Sequence, residues 1–313
     1  MDQGFSFTRI VVLLWCLLAI AGCSRMDTEA QPQKAALPPL EFVSAWGMKG
    51  GEPGQLSCPA SFATDALGNV FIADSGSHFI DKFDPRGTPL LAFQDSWIRF
   101  PQSIAIDRGG AIYLADATQG SVFLFFPNGE RYRSLRLRPR PHAENSLSVS
   151  VGDDGLIFVL DTGEDRVSAY TPRLRFLRTW RVSVNGTAIR RHSSEIAAGP
   201  DGYVYVLDAA GNRILRFTHE GRFVSEIVAR PPGAGRQLGG EFAVSSSYIF
   251  VMDGDGLTLH VLSLEGNPKL DVDLTPQLGR VGRFMPALAV GSHGDLFVLD
   301  SPDARVLRYK INF

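Results

Sequence analysis

The sequence predicts an all-β protein, a six-bladed β-propeller made of four-stranded antiparallel blades, and three observations support this. An apolar run ending in an aspartate returns six times, a glycine precedes most of these aspartates at a constant offset, and an aromatic or apolar residue follows each one. The aspartates are Asp74, Asp116, Asp161, Asp208, Asp253 and Asp300. The regular recurrence of these aspartates along the chain is typical of an array of identical supersecondary units.

Each repeat contains the pattern of four short strands. The run before the aspartate, such as Val70-Phe71-Ile72-Ala73, is β-branched and aromatic and apolar on both faces, so it must be covered on both sides. A strand precedes this run across a turn such as Pro200-Asp201-Gly202, and two more strands follow it. Six such units in a ring cover both faces of every blade.

The closure of the ring follows from the strand count. The sixth repeat supplies only three strands, the last of them at Val306 to Ile311. The segment at about 40–46, Leu40 to Trp46, precedes the first repeat and looks like the fourth strand of the third one. We therefore expect this amino-terminal strand to complete the last blade and remove the open edge.

The repeats resemble the NHL repeat. The resemblance rests on Pro101 to Asp107, Gly110, Tyr113 to Asp116 and Phe125, and it extends over about residues 40–313. It implies a propeller that serves as a platform for protein, nucleic-acid or glycan partners. Repeat 3 departs from the pattern because Leu174 replaces a turn glycine, and repeat 5 departs because Ser247 replaces another.

The amino-terminal segment is predicted to direct the chain to the cell envelope. Arg9 precedes an apolar run from Ile10 to Ala21, which has the length of a secretory signal and is too short to span a bilayer. The exit Ile20-Ala21-Gly22-Cys23 resembles a bacterial lipobox, which implies cleavage before Cys23 and lipidation of its thiol, while a plain secretory signal or a core helix is the alternative. Ser24, in place of aspartate, resembles the pattern that sends lipoproteins to the outer rather than the inner membrane.

The predicted organisation is a signal peptide at 1–22, a flexible tether at 23–39 and the propeller at 40–313. Residues 24–39 are rich in Ala, Gln and Pro without an apolar period, as flexible linkers are. The net charge of −2 gives the protein no overall electrostatic attraction to nucleic acid. An envelope location also makes RNA an improbable partner. We expect a monomer without a cofactor, with Cys58 as the single thiol left after processing.

The long loops contain the most distinctive side chains. The connections between successive blades and between the second and third strands should lie on one face, called here the long-loop face. Guanidinium groups there suit carboxylate, phosphate or sulfate ligands, although pairing with nearby acids in a solvated loop is the alternative. The candidate ligand-binding rim consists of Trp97, Arg99, Arg136, Arg138, Arg140, Arg190, Arg191, Arg236 and Arg283.

The repeated aspartates are interpreted as structural acceptors of backbone N–H groups in their turns. A metal in a propeller lyase or lactonase would instead lie at the channel mouth, where the innermost strands begin with Ser61, Ser103, Ser148, Glu195, Glu241 and Ala287. Glu195 and Glu241 occupy equivalent positions in adjacent blades, so they are the candidate metal ligands, although pairing with loop arginines is the favoured interpretation. The histidines do not share an offset, so no zinc cage and no catalytic residue is predicted.

The sequence therefore favours a membrane-anchored envelope lipoprotein whose propeller binds or scaffolds a protein, a peptide or an anionic glycan. The alternative is a metal-dependent propeller lyase or lactonase with its site at the channel mouth.

Overall fold

The computed structural model describes residues 39–137, 146–184, 187–189, 194–229, 238–279 and 286–312. The predicted signal peptide and nearly all of the tether, with Cys23, lie outside the described residues. Among the described residues, no helix has the length and apolar character needed to cross a membrane.

The described chain forms six four-stranded antiparallel sheets, each with its strands in the order of a propeller blade. Blade 1 consists of β2 (Pro59–Thr64), β3 (Val70–Asp74), β4 (Ile80–Phe83) and β5 (Pro89–Phe93). Blade 2 consists of β6 (Pro101–Ile106), β7 (Ile112–Asp116), β8 (Ser121–Phe125) and β9 (Arg131–Arg136). Blade 3 consists of β10 (Leu147–Val151), β11 (Ile157–Asp161), β12 (Arg166–Tyr170) and β13 (Phe176–Arg181). Blade 4 consists of β16 (Ser194–Ala198), β17 (Tyr203–Asp208), β18 (Arg213–Thr218) and β19 (Phe223–Val228). Blade 5 consists of β20 (Leu238–Val244), β21 (Tyr248–Asp253), β22 (Thr258–Ser263) and β23 (Pro268–Asp273). The prediction of an all-β, six-bladed propeller is confirmed.

Blade 6 closes the ring as predicted. It consists of β24 (Ala287–Val290), β25 (Asp295–Asp300), β26 (Arg305–Ile311) and, as its outer strand, β1 (Leu40–Trp46). Leu40 lies opposite Ile311 and Trp46 opposite Val306. Just before this pairing, the N–H of Asn312 donates to the carbonyl of Pro39 at 2.9 Å, so the two ends of the propeller sequence are joined by backbone hydrogen bonds.

Three small elements lie in the long connections. A short hairpin of β14 (Ser183–Val184) and β15 (Thr187–Ala188) follows blade 3, a 3-10 turn (Ala209–Gly211) follows β17, and helix α1 (Thr275–Leu278) follows blade 5. Leu278 of α1 is buried between blades 5 and 6. These elements belong to the long-loop face, because they occupy connections between blades or between second and third strands.

The hydrophobic core is divided among the blade interfaces. In the described residues each buried apolar cluster is made by two neighbouring blades, as where Tyr113 and Val122 of blade 2 meet Val149 and Ile157 of blade 3. The second strands β3, β7 and β11 are buried along their whole length. Their two-sided apolar sequences thus face two interfaces each, which is why these strands lack the usual polar and apolar alternation.

Candidate functional site

The repeated aspartates organise the long-loop face. Asp74 accepts hydrogen bonds from the backbone N–H groups of Ser57 at 2.6 Å and Cys58 at 3.0 Å, and also from Gly76 at 2.8 Å. Asp116 repeats this role in the next blade, where it accepts from Arg99 at 2.7 Å and Phe100 at 2.9 Å. Asp116 also accepts from the N–H of Gln119 in its own turn at 3.1 Å. Each of these two carboxylates therefore joins the incoming inter-blade loop to the turn after its own strand, which confirms the structural interpretation for these two repeats.

The rim residues that the structure describes are Trp97, Arg99 and Arg136. Buried Ile98 anchors the loop before blade 2, and Trp97 is 61% exposed beside it. The Cζ of Arg131 lies 5.5 Å from the centre of the Trp97 ring, within the range of a cation–π contact. Arg99 and Arg136 are exposed. The other rim residues, which lie outside the described residues, are Arg138, Arg140, Arg190, Arg191, Arg236 and Arg283.

Residues near the starts of the innermost strands form a ladder of hydrogen bonds from blade to blade. The hydroxyl of Ser103 accepts from the N–H of Val149 in the next blade at 3.0 Å, and Glu195 Oε2 likewise accepts from the N–H of Phe242 at 2.9 Å. The other members of the ladder are Ser61, which accepts from Ile104 at 3.1 Å, and Ser148, which accepts from Ile196 at 3.3 Å. Glu195 therefore takes a place that serine fills in the preceding blades.

Glu241 occupies the next position but does not extend the ladder. Within the described part of the chain, no hydrogen bond or ion pair reaches its carboxylate. Its strand carries an irregularity between Leu238 and Phe242, where Gly239, Gly240 and Glu241 itself have no partners in the register with β21. The acidic ladder position without a described acceptor role thus lies within the local departure from regular pairing.

The two carboxyl groups interact electrostatically. Burial raises the pKa of Glu195 well above its usual range, and the nearby charge of Glu241 raises it further, while the hydrogen bond from Phe242 acts in the opposite direction. Burial raises the pKa of Glu241 to about 8. Two such groups retain at least one proton near neutral pH, which suits proton transfer, or they release protons to bind a cation.

The structure brings the two predicted metal-ligand candidates together but gives them no third ligand. Among the described residues, no group of three or more His, Cys, Asp or Glu side chains is close enough to hold a metal ion. The sequence predicts that both glutamates pair with loop arginines. The described partner of Glu195 is instead a backbone N–H, and loop residues Arg190, Arg191 and Arg236 lie outside the described residues.

A separate cavity of about 490 Å³ lies at the opposite end of the inner strands, on the face made by the short turns. Its lining includes Thr64, Asp107, Val151, Ser245 and Gly291, which end the inner strands or belong to the turns after them. The candidate sites predicted from the sequence all lie at the long-loop end, so this cavity is not among them. The residues that line the cavity belong to the turns of the repeat pattern. The sequence pattern is therefore accounted for by the fold alone and does not indicate a cavity.

Comparisons with known proteins show the fold. The chain is similar to a streptogramin B lyase, with a TM-score of 0.61, 14% identity and coverage of 87% of this chain and 98% of that chain. It is also similar to a catalytically inactive variant of virginiamycin B lyase from Staphylococcus aureus with quinupristin, with a TM-score of 0.60, 9% identity and coverage of 87% and 100%. A protein of unknown function from Bacteroides caccae matches with a TM-score of 0.54, 15% identity and coverage of 74% and 82%.

The sequence comparisons add no family. No family model matches the chain, and no curated protein matches it. At these low identities the structural matches define the class, a six-bladed propeller protein, and do not transfer an activity.

Proposed function

We propose that the chain is a lipid-anchored envelope protein whose propeller is a binding or scaffolding module for a protein, a peptide or an anionic glycan. The observation that carries the proposal is the construction of the long-loop face around Asp116. Its carboxylate holds the backbone of Arg99 and Phe100, and buried Ile98 fixes the same loop, so the exposed Trp97 and Arg99 side chains are presented from an ordered backbone.

The chemistry of this loop suits an anionic or polar partner. An exposed indole offers a large contact area at low entropic cost, and a guanidinium group can form bidentate hydrogen bonds with a carboxylate or sulfate. The lipobox resemblance at Cys23 supports placement in the envelope. We place the module on the outer rather than the inner membrane, on the basis of Ser24.

Capture of the partner in cells tests the binding proposal. Arg99→Ala and Arg136→Ala should each weaken crosslinking of the partner to the full chain, and the wild-type capture should fall as salt rises because exposed charges are screened. Arg86→Ala is the matched control, since Arg86 is also an exposed arginine but lies in a short turn between β4 and β5. Equal capture by all three variants would contradict the proposed surface.

A second candidate function is a lyase or lactonase with its site at the paired carboxyl groups. It is favoured by the unusual state of Glu241, a carboxyl group with a strongly raised pKa and no described hydrogen-bond donor. A hard cation would recruit both carboxylates and complete its shell with water or carbonyl oxygen.

Metal analysis distinguishes this candidate. If it is right, purified full chain should contain calcium or zinc in stoichiometric amount, and Glu241→Gln should abolish metal binding without unfolding the protein. Glu195→Gln is the informative companion, because glutamine keeps an oxygen acceptor for the Phe242 N–H while it removes the charge. Metal content that is unchanged in both variants would exclude the pair as a metal site.

A further inference from the structure

The outer strands share a β-bulge that projects one side chain outward. In every blade the pairing of the third and outer strands shifts by one residue near the start of the outer strand, which in blades 1 to 5 is just after the turn that joins the two strands. A bulge leaves one residue unpaired and re-aims its side chain. The bulged residues are Val43, Leu90, Tyr132, Leu177, Val224 and Lys269.

The bulged side chains are apolar in five blades and exposed. They are between 37% exposed at Val224 and 53% exposed at Leu90. A large apolar side chain at the same outward position in blade after blade is not explained by the core, which the blade interfaces already fill. Such exposed apolar groups in one register mark an interaction surface.

Blades 2 to 4 combine these side chains with further aromatic residues. Phe126 is 43% exposed and packs edgewise on Tyr132 with ring centres 5.0 Å apart. Phe176 and Phe223 are 60% and 43% exposed at the starts of β13 and β19, next to the bulged Leu177 and Val224. We call these six residues the outer patch: Phe126, Tyr132, Phe176, Leu177, Phe223 and Val224.

The turn segments that form the outer patch contain more arginine than acid, and one acid, Asp107, lines a small cavity together with Phe126 and Tyr132. The same three turn segments contain exposed arginines in excess over the exposed acids Glu130 and Glu220. Arg131 is paired with Asp95 at 3.1 Å. The remaining arginines of these segments, which have no ion pair with the described residues, are Arg133, Arg173, Arg175 and Arg222. Aromatic and aliphatic side chains interleaved with arginine are the composition that binds the headgroup region of an anionic bilayer.

The first described strand begins at the same end of the blades as the outer patch. β1 begins at Leu40, opposite Ile311, which is the end of β26 where the other blades have the turn into their outer strands. The turns at this end lie beside the turns after the inner strands, as the 2.7 Å contact of His219 Nδ1 with Asp154 Oδ2 shows. The outer patch and the start of β1 therefore belong to the same end of the blades, and the tether residues, extended, span roughly 50 Å.

We propose that the outer patch lies on the surface of an anionic bilayer, so that the propeller leans on the membrane with blades 2 to 4 and presents its long-loop face away from the lipid. The inference rests on the proposed lipid anchor for its location. It adds a second membrane contact, made by the folded domain itself.

Site-specific quenching tests the orientation. Leu177→Cys, in the Cys58→Ser background, carries a polarity-sensitive fluorophore on the full lipidated chain in vesicles of phosphatidylcholine and phosphatidylglycerol with spin-labelled lipid. Its fluorescence should fall about twofold, since interfacial side chains enter the boundary between headgroups and acyl chains. Leu90→Cys is the matched control, because it is also a bulged leucine but lies in blade 1, outside the patch, and its fluorescence should not change. Val224→Cys should behave as Leu177→Cys does.

The outcomes separate this inference from the anchor. If the chain stays with the vesicles but the labels at Leu177 and Leu90 are quenched equally or not at all, the outer patch is not a membrane surface and the anchor stands. If the chain does not sediment with the vesicles and no label is quenched, both proposals fail. A patch that serves a protein partner would leave the Leu177 label in water on pure lipid vesicles, and this result would also overturn the inference.

Discussion

At the scale of single residues, Asp81 is a buried acid outside the candidate site. It is fully buried in β4, and its Oδ1 accepts one hydrogen bond, from the N–H of Gly54 at 2.9 Å. Its Oδ2 has no hydrogen-bond partner among the described residues. Burial, aided by the charge of Asp74, raises the pKa of Asp81 to about 6 despite the hydrogen bond from Gly54.

The raised pKa predicts a specific pH dependence of stability. The folded protein binds the proton of Asp81 more tightly than the unfolded chain does, so stability is lost as the pH rises from about 4 through about 6. Asp81→Asn removes this loss and should gain about 1–3 kcal/mol in the free energy of unfolding relative to the wild type over that range. Urea unfolding at several pH values measures the effect.

The control for this prediction is Asp273→Asn. The pKa of Asp273 is lowered by the hydroxyl and the N–H of Thr275, so its contribution to stability has the opposite sign and is lost as the pH falls. Parallel stability profiles for Asp81→Asn and the wild type would show that the buried carboxyl does not titrate in this range.

At the scale of elements, the turn before each outer strand is matched to the outer strand of the preceding blade. A Cβ at Gly221, where φ is +87°, would lie 2.5 Å from the ring of Trp180, and a Cβ at Gly129 would lie 2.6 Å from Phe93. Leu174 has the equivalent place in blade 3, with a φ of +54°, and is buried against Leu135. Leu135 in the outer strand of blade 2 is thus smaller than Trp180 and Phe93 at the corresponding places, and the turn residue that faces it, Leu174, is larger than glycine.

This complementarity predicts the effect of adding one methyl group. Gly221→Ala should destabilise the protein by about 1–3 kcal/mol, because the methyl group overlaps Trp180 in addition to straining the backbone. Gly202→Ala has a similar φ of +80° with nothing within 4 Å of the new Cβ, so it isolates the backbone cost of about 1–2 kcal/mol. Thermal melts of both variants give the comparison. Equal losses of stability would show that the Trp180 side chain can move aside without an energetic cost.

The departures of repeats 3 and 5 have different physical causes. Leu174 replaces a glycine one for one and keeps the left-handed backbone. In repeat 5 the turn is shorter, because the N–H of Ser245 bonds the carbonyl of Tyr248, whereas the N–H of Gly291 in repeat 6 bonds the carbonyl of Asp295, one residue further on. Ser247 therefore needs no positive φ. The sequence located both departures, but only the backbone distinguishes a substitution from a deletion.

At the scale of the whole molecule, β1 is the seam of the ring. Trp46 packs on Phe83 of blade 1 with ring centres 5.0 Å apart, so β1 joins blade 6 to blade 1 as well as completing its own sheet. The following Gly47, at a φ of +141°, passes so close to the carbonyl of Ala304 that a Cβ would lie 2.3 Å from its oxygen.

The seam predicts a cooperative loss of stability on truncation. A chain that begins at residue 47 loses the outer strand of blade 6 and exposes two interfaces, so its melting temperature should fall markedly below that of a chain that begins at Pro39. Calorimetry of the two chains makes the comparison. Identical melting curves would mean that the pairing of β1 with β26 does not stabilise the ring.

The sequence by itself determined the number of blades, their order, the middle strands and the strand that closes the ring. These features are encoded locally, in runs of side chains whose period and turn residues repeat along the chain. The adjacency of Glu195 and Glu241 followed from the same register.

Only the tertiary structure decided what the side chains at those positions do. The ladder that ends at Glu195 depends on contacts between residues more than forty positions apart, and the buried state of Asp81 depends on a contact with Gly54, 27 positions away. The missing acceptor role of Glu241 and the bulges of the outer strands coincide with shifts in pairing. A repeat pattern cannot show them, because equivalent positions in each blade look alike in sequence until the neighbouring blade supplies their surroundings.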